Sequence, residues 1–100
     1  MQILLSNNAI ERLNTILDRE RVENPEAVFR IWEITRGRYN DAKIHLRLSV
    51  DEKYEDDVEA SCVHLPFVAS RDFLALRGEP HIFYIGLAKN GMPQVQEFGV

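Results

Sequence analysis

The feature that most constrains this chain is a stripe of apolar residues at helical spacing near its start. Ala9, Ile10, Leu13, Ile16 and Leu17 share one side, while Glu11, Arg12, Asn14, Asp18 and Arg19 fall largely elsewhere. The spacing predicts one amphipathic helix over about residues 7–20, with one face that must be buried against another element. Ser6 offers a side-chain oxygen to the free amides of the first turn and is the expected N-cap. Met1 to Leu5 is an apolar run too brief for a helix and reads as a strand, and Asn24-Pro25 closes the connection after the helix.

Most of the remaining chain has the signature of strands. Ala27 to Thr35 (AVFRIWEIT) is rich in β-branched and aromatic residues. Its alternation is mixed, with Phe29 and Ile31 on one face and Val28, Trp32 and Ile34 on the other, as expected of a strand covered on both faces or of one that bends. Arg36 to Ala42 is a polar loop, with Gly37 and Asn40 suited to positive φ. Lys43 to Val50 alternates cleanly: Ile44, Leu46, Leu48 and Val50 are expected inward, Lys43, His45, Arg47 and Ser49 outward. An acidic turn follows over Asp51 to Asp57. Val58 to Val68, interrupted by Pro66, reads as two short strand pieces or an edge strand.

Ser70 is placed to cap a short helix, with Asp72 in its first turn, Phe73, Leu74 and Leu76 as its apolar side and Gly78 as its stop. His81 to Leu87 and Met92 to Phe98 are the last two strands. Asn90-Gly91 between them signals a two-residue type I′ turn, and Pro93 belongs at an outward-facing edge position. One long helix, one short helix and several strands make an α+β domain, and 100 residues is one domain's worth of chain.

Composition narrows the function. A net charge of −4 argues against a general nucleic-acid binder, which needs a basic face. The densest basic group, Arg36 and Arg38 with Lys43 nearby, is flanked by Glu33 and Asp41 and reads as a solvated loop. A single cysteine, Cys62, excludes an intramolecular disulfide framework. No targeting pattern and no run approaching ~20 apolar residues is present, so no membrane span is expected and the cytoplasm is the default compartment.

The order of parts resembles the HesB-like domain of the A-type iron–sulfur carriers. The resemblance lies in a first strand running into a Ser-capped helix (ILLSNNAIERLNTIL), a strand pair with a loop between, an acidic turn, and HLPFVASRDFLALRGEP leading into a strand. It implies twisted mixed β-sheets, in a flattened barrel-like sandwich, with one main helix and one short helix. It also implies cluster-assembly proteins as partners and a tendency to dimerise. Members of that family hold clusters with three cysteines, one in a glycine-rich loop and a Cys-Gly-Cys pair in the C-terminal tail. Here the loop is Arg36-Gly37-Arg38-Tyr39-Asn40-Asp41, the position nearest the first cysteine is about Asp41, and the chain closes on Gln96-Glu97-Phe98-Gly99-Val100. None of the three ligand positions carries over.

The expected reading is therefore a divergent HesB-like domain, neither enzyme nor cluster carrier, that serves as a binding or accessory module without a cofactor. Cys62 among Val58, Ala60, Val63 and Leu65 reads as a small core residue. A carrier using Cys62, His45, His64 or Asp41, shared across an oligomer, stays open as an alternative. So does a small-ligand binder or enzyme that reuses the fold. Ser6, Ser49, Ser61 and Ser70 lie in no nucleophile elbow. Asp51, Glu52, Glu55, Asp56, Asp57 and Glu59 lack calcium-loop spacing and read as a solvated turn. The apolar excess of AVFRIWEIT suggests a weak homodimer through a sheet edge or the strand of Trp32.

Overall fold

The amphipathic stripe does form the main helix. In the computed structural model, which describes residues 1–37 and 43–98, β1 (Gln2–Leu5) runs directly into α1 (Asn7–Glu20). The Ser6 hydroxyl accepts the Ala9 N–H at 3.2 Å, satisfying one of the orphan amides of the first turn. Ala9, Leu13 and Leu17 are buried and Ile10 and Ile16 half-buried, so the helix covers the sheets with the expected face. Burial of a leucine of this kind contributes about 1.5–3 kcal/mol.

Among the described residues, seven strands form two mixed sheets that do not close into a barrel. The first has the order β1-β6-β7, with β6 (Ile82–Leu87) parallel to β1 and antiparallel to β7 (Pro93–Phe98). The second has the order β3-β2-β5-β4. Here β2 (Val28–Arg36) pairs antiparallel with β3 (Lys43–Asp51) and parallel with β5 (Leu65–Ala69), and β5 pairs antiparallel with β4 (Val58–Cys62). The sheets meet edge to edge: β3 lies beside β7 and β1 beside β4, with no ladder across either seam. Between them and α1 sits one core cluster that includes Phe29, Ile31, Phe67, Phe83 and Ile85. No helix among the described residues is long and apolar enough to cross a membrane.

Several expectations are corrected. Ile44 was expected inward, yet it is 63% exposed, because it lies near the start of β3, beyond the core that Leu46, Leu48 and Val50 reach. Leu46, Leu48 and Val50 do pack against the core. Leu76 is 80% exposed: α2 (Arg71–Ala75) buries only Phe73 and Leu74 before Leu76 caps it, so Gly78 is not its stop. The Ser70 cap is as expected, its hydroxyl accepting the Phe73 N–H at 3.1 Å. The last two strands do form a hairpin, but its loop is the three residues Lys89 to Gly91. The Gly91 N–H donates to Ala88 O and the Ala88 N–H to Met92 O, and of the Asn90-Gly91 pair only Gly91 has a positive φ (82°). The Asn90 side chain instead accepts the Met92 N–H, favouring a turn closed by a glycine bulge over the two-residue form. Pro93 stands on the edge strand β7, as expected. Gly37 has a positive φ, whereas Asn40 and the rest of its loop lie outside the described residues.

The break in Val58–Val68 comes from an unexpected pair. Cys62 faces Leu65 across a two-residue turn in which Val63 (φ 51°) and His64 (φ 65°) are both left-handed. His64, expected within a strand, is therefore a turn residue. A β-branched valine is strained in that region, where Asn and Gly are not. Val63→Asn combined with His64→Gly is expected to raise stability by about 1 kcal/mol, read as a higher midpoint in urea unfolding.

Candidate functional site

The proposed metal-ligand candidates are not brought together. Cys62 ends β4 and His45 lies on β3, at opposite edges of the four-stranded sheet. Three interstrand steps separate those edges by about 14 Å, and the registers add roughly 20 Å along the strands, since Cys62 lies near the level of Ala27 while His45 pairs with Ile34. His64 stays beside Cys62 in its turn, exposed and far from His45. Asp41 lies outside the described residues. No group of three or more His, Cys, Asp or Glu among the described residues could hold a metal ion. A half-buried lone thiol with one turn histidine nearby does not fit an iron–sulfur cluster, which needs several thiolates converging on iron.

The acidic turn, in contrast, is built rather than simply solvated. Arg30 on β2 reaches across to it: Nε donates to Asp51 Oδ2 at 2.7 Å, and Nη1 and Nη2 donate to the two Asp57 oxygens at 2.9 and 2.5 Å. The Asp57 side chain is only 3% exposed, and its Oδ2 also accepts the Tyr54 N–H. The guanidinium lies 4.8 Å from the Tyr54 ring centroid, a cation–π contact that shields the cluster. The Arg30 hydrogen bond holds the Asp57 carboxyl below its ordinary range in spite of burial. Burial pushes Asp51 upward, and the Glu52 N–H and Arg30 together outweigh it, so Asp51 is also held low. The Arg30 guanidinium is held more firmly protonated than usual by Asp57. Arg30, Asp51 and Asp57 all have partners, so the cluster fastens the β3–β4 connection to β2.

A second cation spans the sheets. Arg77, after α2, donates to Glu33 on β2 and to Glu97 on β7, and stacks over Phe73 at 4.4 Å from the ring centroid. By strand alternation Glu33 shares the face of Phe29 and Ile31, away from Arg36, which it flanks in sequence.

The outward face of β2 and β3 holds a candidate site that is not visible in the sequence. Residues directly opposite in an antiparallel pair share a face. The register of β2 and β3 sets Arg36 against Lys43, Ile34 against His45 and Trp32 against Arg47, all on the side away from Phe29 and Ile31. Arg36, Lys43, Arg47 and Trp32 are exposed. No ion pair among the described residues involves any of the three cations. Two residues along, on the same face, Arg30 is already neutralised by its carboxylates. A chain of net charge −4 thus carries, around its one tryptophan, a strip of three cations with no ion pair among the described residues. In the sequence these residues look scattered, because strand alternation interleaves them with core residues. Such a strip can attract and orient an anionic partner and stack on it through Trp32. No protein-family model matches the chain, and no curated protein matches it.

Proposed function

We propose that this chain is a HesB-like domain serving as a non-catalytic binding or accessory module, and that it meets an acidic partner through the outward face of β2 and β3. The observation that carries the reading is the Arg36–Lys43, Ile34–His45, Trp32–Arg47 strip on an otherwise acidic protein. The family part rests on the resemblance: a strand entering a Ser-capped helix, a strand pair, an acidic turn and a second Ser-capped helix occur in that order. Cluster-assembly proteins in the cytoplasm are the partners that resemblance suggests. Two copies of this face would set cation against cation, so pairing of the chain with itself through Trp32 works against its own charge.

Trp32 is the single tryptophan and reports on the face directly. Titration with polyglutamate is expected to change its fluorescence, with an affinity that falls as salt rises. The triple variant Arg36→Glu, Lys43→Glu, Arg47→Glu should lose the response. An unchanged spectrum in the native protein would defeat the reading. Anaerobic reconstitution with iron and sulfide is expected to leave the desalted protein colourless, because one thiol per chain cannot supply a cluster's usual ligands. Stoichiometric visible absorbance lost on Cys62→Ser would assign the chain to cluster carriage instead.

A further inference from the structure

The outward face of the three-stranded sheet has a chemistry opposite to that of the cationic strip. Ile3, Phe83 and Ile85 are buried and Val95 packs against the core. Alternation therefore sends Gln2 and Leu4 of β1, Ile82, Tyr84 and Gly86 of β6, and Gln94, Gln96 and Phe98 of β7 to the other side. None of them is charged, in a chain that is 28% charged. Leu4 is 38% and Phe98 48% exposed, so the described residues leave this face open. The Tyr84 side chain leans along its own strand: its Cε1 lies 3.2 Å and its hydroxyl oxygen 3.6 Å from where a Cβ on Gly86 would stand. Glycine at 86 lets the phenol lie down on the sheet, and a larger residue there would push it away. Phe98 meets Tyr84 edge-on, with ring centroids 6.1 Å apart. At the phenol is a cavity of about 240 Å³ whose walls include Ser6, Asn8, Gly86, Gln94 and Gln96. The Asn8 Oδ1 accepts the Ser6 hydroxyl at 2.5 Å, which leaves the Asn8 Nδ2, the carboxamides of Gln94 and Gln96 and the Tyr84 hydroxyl without a hydrogen bond among the described residues.

We propose that this cavity binds one ring of a neutral saccharide. The site lies on the other sheet from the strip and does not depend on the acidic-partner reading. A carboxamide donates and accepts at once, and so does a sugar hydroxyl, so Gln94 and Gln96 match a ligand dense in hydroxyls. The C–H face of a sugar ring is apolar and packs on the electron-rich face of an aromatic ring, which Tyr84 and Phe98 supply. An ionic ligand would give up its water for walls that hold no counter-charge. A purely apolar ligand would strip water from two carboxamides and a phenol without replacing its hydrogen bonds. The cavity is smaller than the ~300–1,000 Å³ of pockets that enclose drug-sized ligands, so it suits a single ring. Phe98, exposed beside Tyr84, is placed to carry the next ring of a longer chain.

The test follows the backbone amide signals of the full, nitrogen-15-labelled chain by NMR as cellotetraose, maltotetraose or chitotetraose is added to millimolar concentration. An oligogalacturonate of similar length is the charged control. At least one neutral oligosaccharide is expected to shift the amides of Tyr84, Gly86 and Gln94 to Gln96 in a saturable way, while the Trp32 indole signal stays still. The double variant Gln94→Leu, Gln96→Leu changes two exposed positions and should weaken that binding by about tenfold, the equivalent of one or two hydrogen bonds. Gly86→Ala should weaken it by about threefold through displacement of the phenol. If no neutral oligosaccharide moves these amides, the proposal is overturned. Equal binding by the leucine variant overturns it as well, since the carboxamides would then not be reading hydroxyls. Oligogalacturonate binding as tight as that of the neutral chains would overturn the neutral ligand. Self-association that the leucine variant strengthens, without sugar binding, would assign the face to a second copy of the chain. The polyglutamate titration reads Trp32 on the other sheet, so the two readings succeed or fail separately.

Discussion

Replacing Phe67 by alanine is expected to lower the stability of the domain by about 4 kcal/mol. Phe67 is completely buried, stacks on Phe29 with ring centroids 5.5 Å apart, and sits on β5 at the position paired with Phe29 of β2. That parallel contact joins the β2–β3 hairpin to the β4–β5 hairpin, so the cavity left by the ring opens where the four-stranded sheet is held together. Small natural domains hold ~5–15 kcal/mol in total, and each kcal/mol moves the melting temperature of a domain this size by about 4–8 °C. The variant should therefore melt at least ~15 °C lower, if it folds at all. Urea unfolding monitored by circular dichroism checks this, with the exposed Val22→Ala as a control expected within ~0.5 kcal/mol of the native protein. A loss below ~1 kcal/mol would mean that the β2–β5 junction is not where the core is held.

Arg30→Ala is expected to cost about 3 kcal/mol at neutral pH, more through what it leaves than through what it removes. The guanidinium satisfies both oxygens of Asp57, a carboxylate almost wholly out of water, and one oxygen of Asp51. Without it two carboxylates face each other with no cation between them. Arg30→Lys should recover only part of the loss, because an ammonium cannot reproduce the fork that binds Asp51 and Asp57 together. The pH dependence follows from the direction of the shifts. Both carboxyls are held below their ordinary range, so the stability they contribute is fully present above about pH 4 and is lost as pH falls through their lowered values. The gap between native protein and Arg30→Ala should accordingly be widest at pH 7 and narrow on acidification toward pH 3. Urea midpoints across that range measure it. A gap that stays constant would show that the carboxylates are not coupled to Arg30 in solution.

The sequence by itself determined the local elements of this protein. Helical spacing from Ala9 to Leu17 and the hydroxyl of Ser6 specify α1 and its first residue, and Ser70 does the same for α2. The β-branched runs specify the strands, because side-chain period and capping act over a few residues that are adjacent in the chain. The turns were less legible. Cys62-Val63-His64-Leu65 carries no Asn or Gly, and the pairing of β4 with β5 imposes its left-handed residues from outside. Only the tertiary structure decided the proposed binding surface. Arg30 finds its carboxylates 21 and 27 residues away, and Arg77 pairs with Glu33 on the inward face from 44 residues away. Those contacts, with the register that sets Trp32 opposite Arg47, leave Arg36, Lys43 and Arg47 as a cationic strip on the outward face of β2 and β3. Charge in a sequence is a tally, and which charges cancel depends on distances that folding alone creates, since a Coulomb interaction in water fades within about 10 Å.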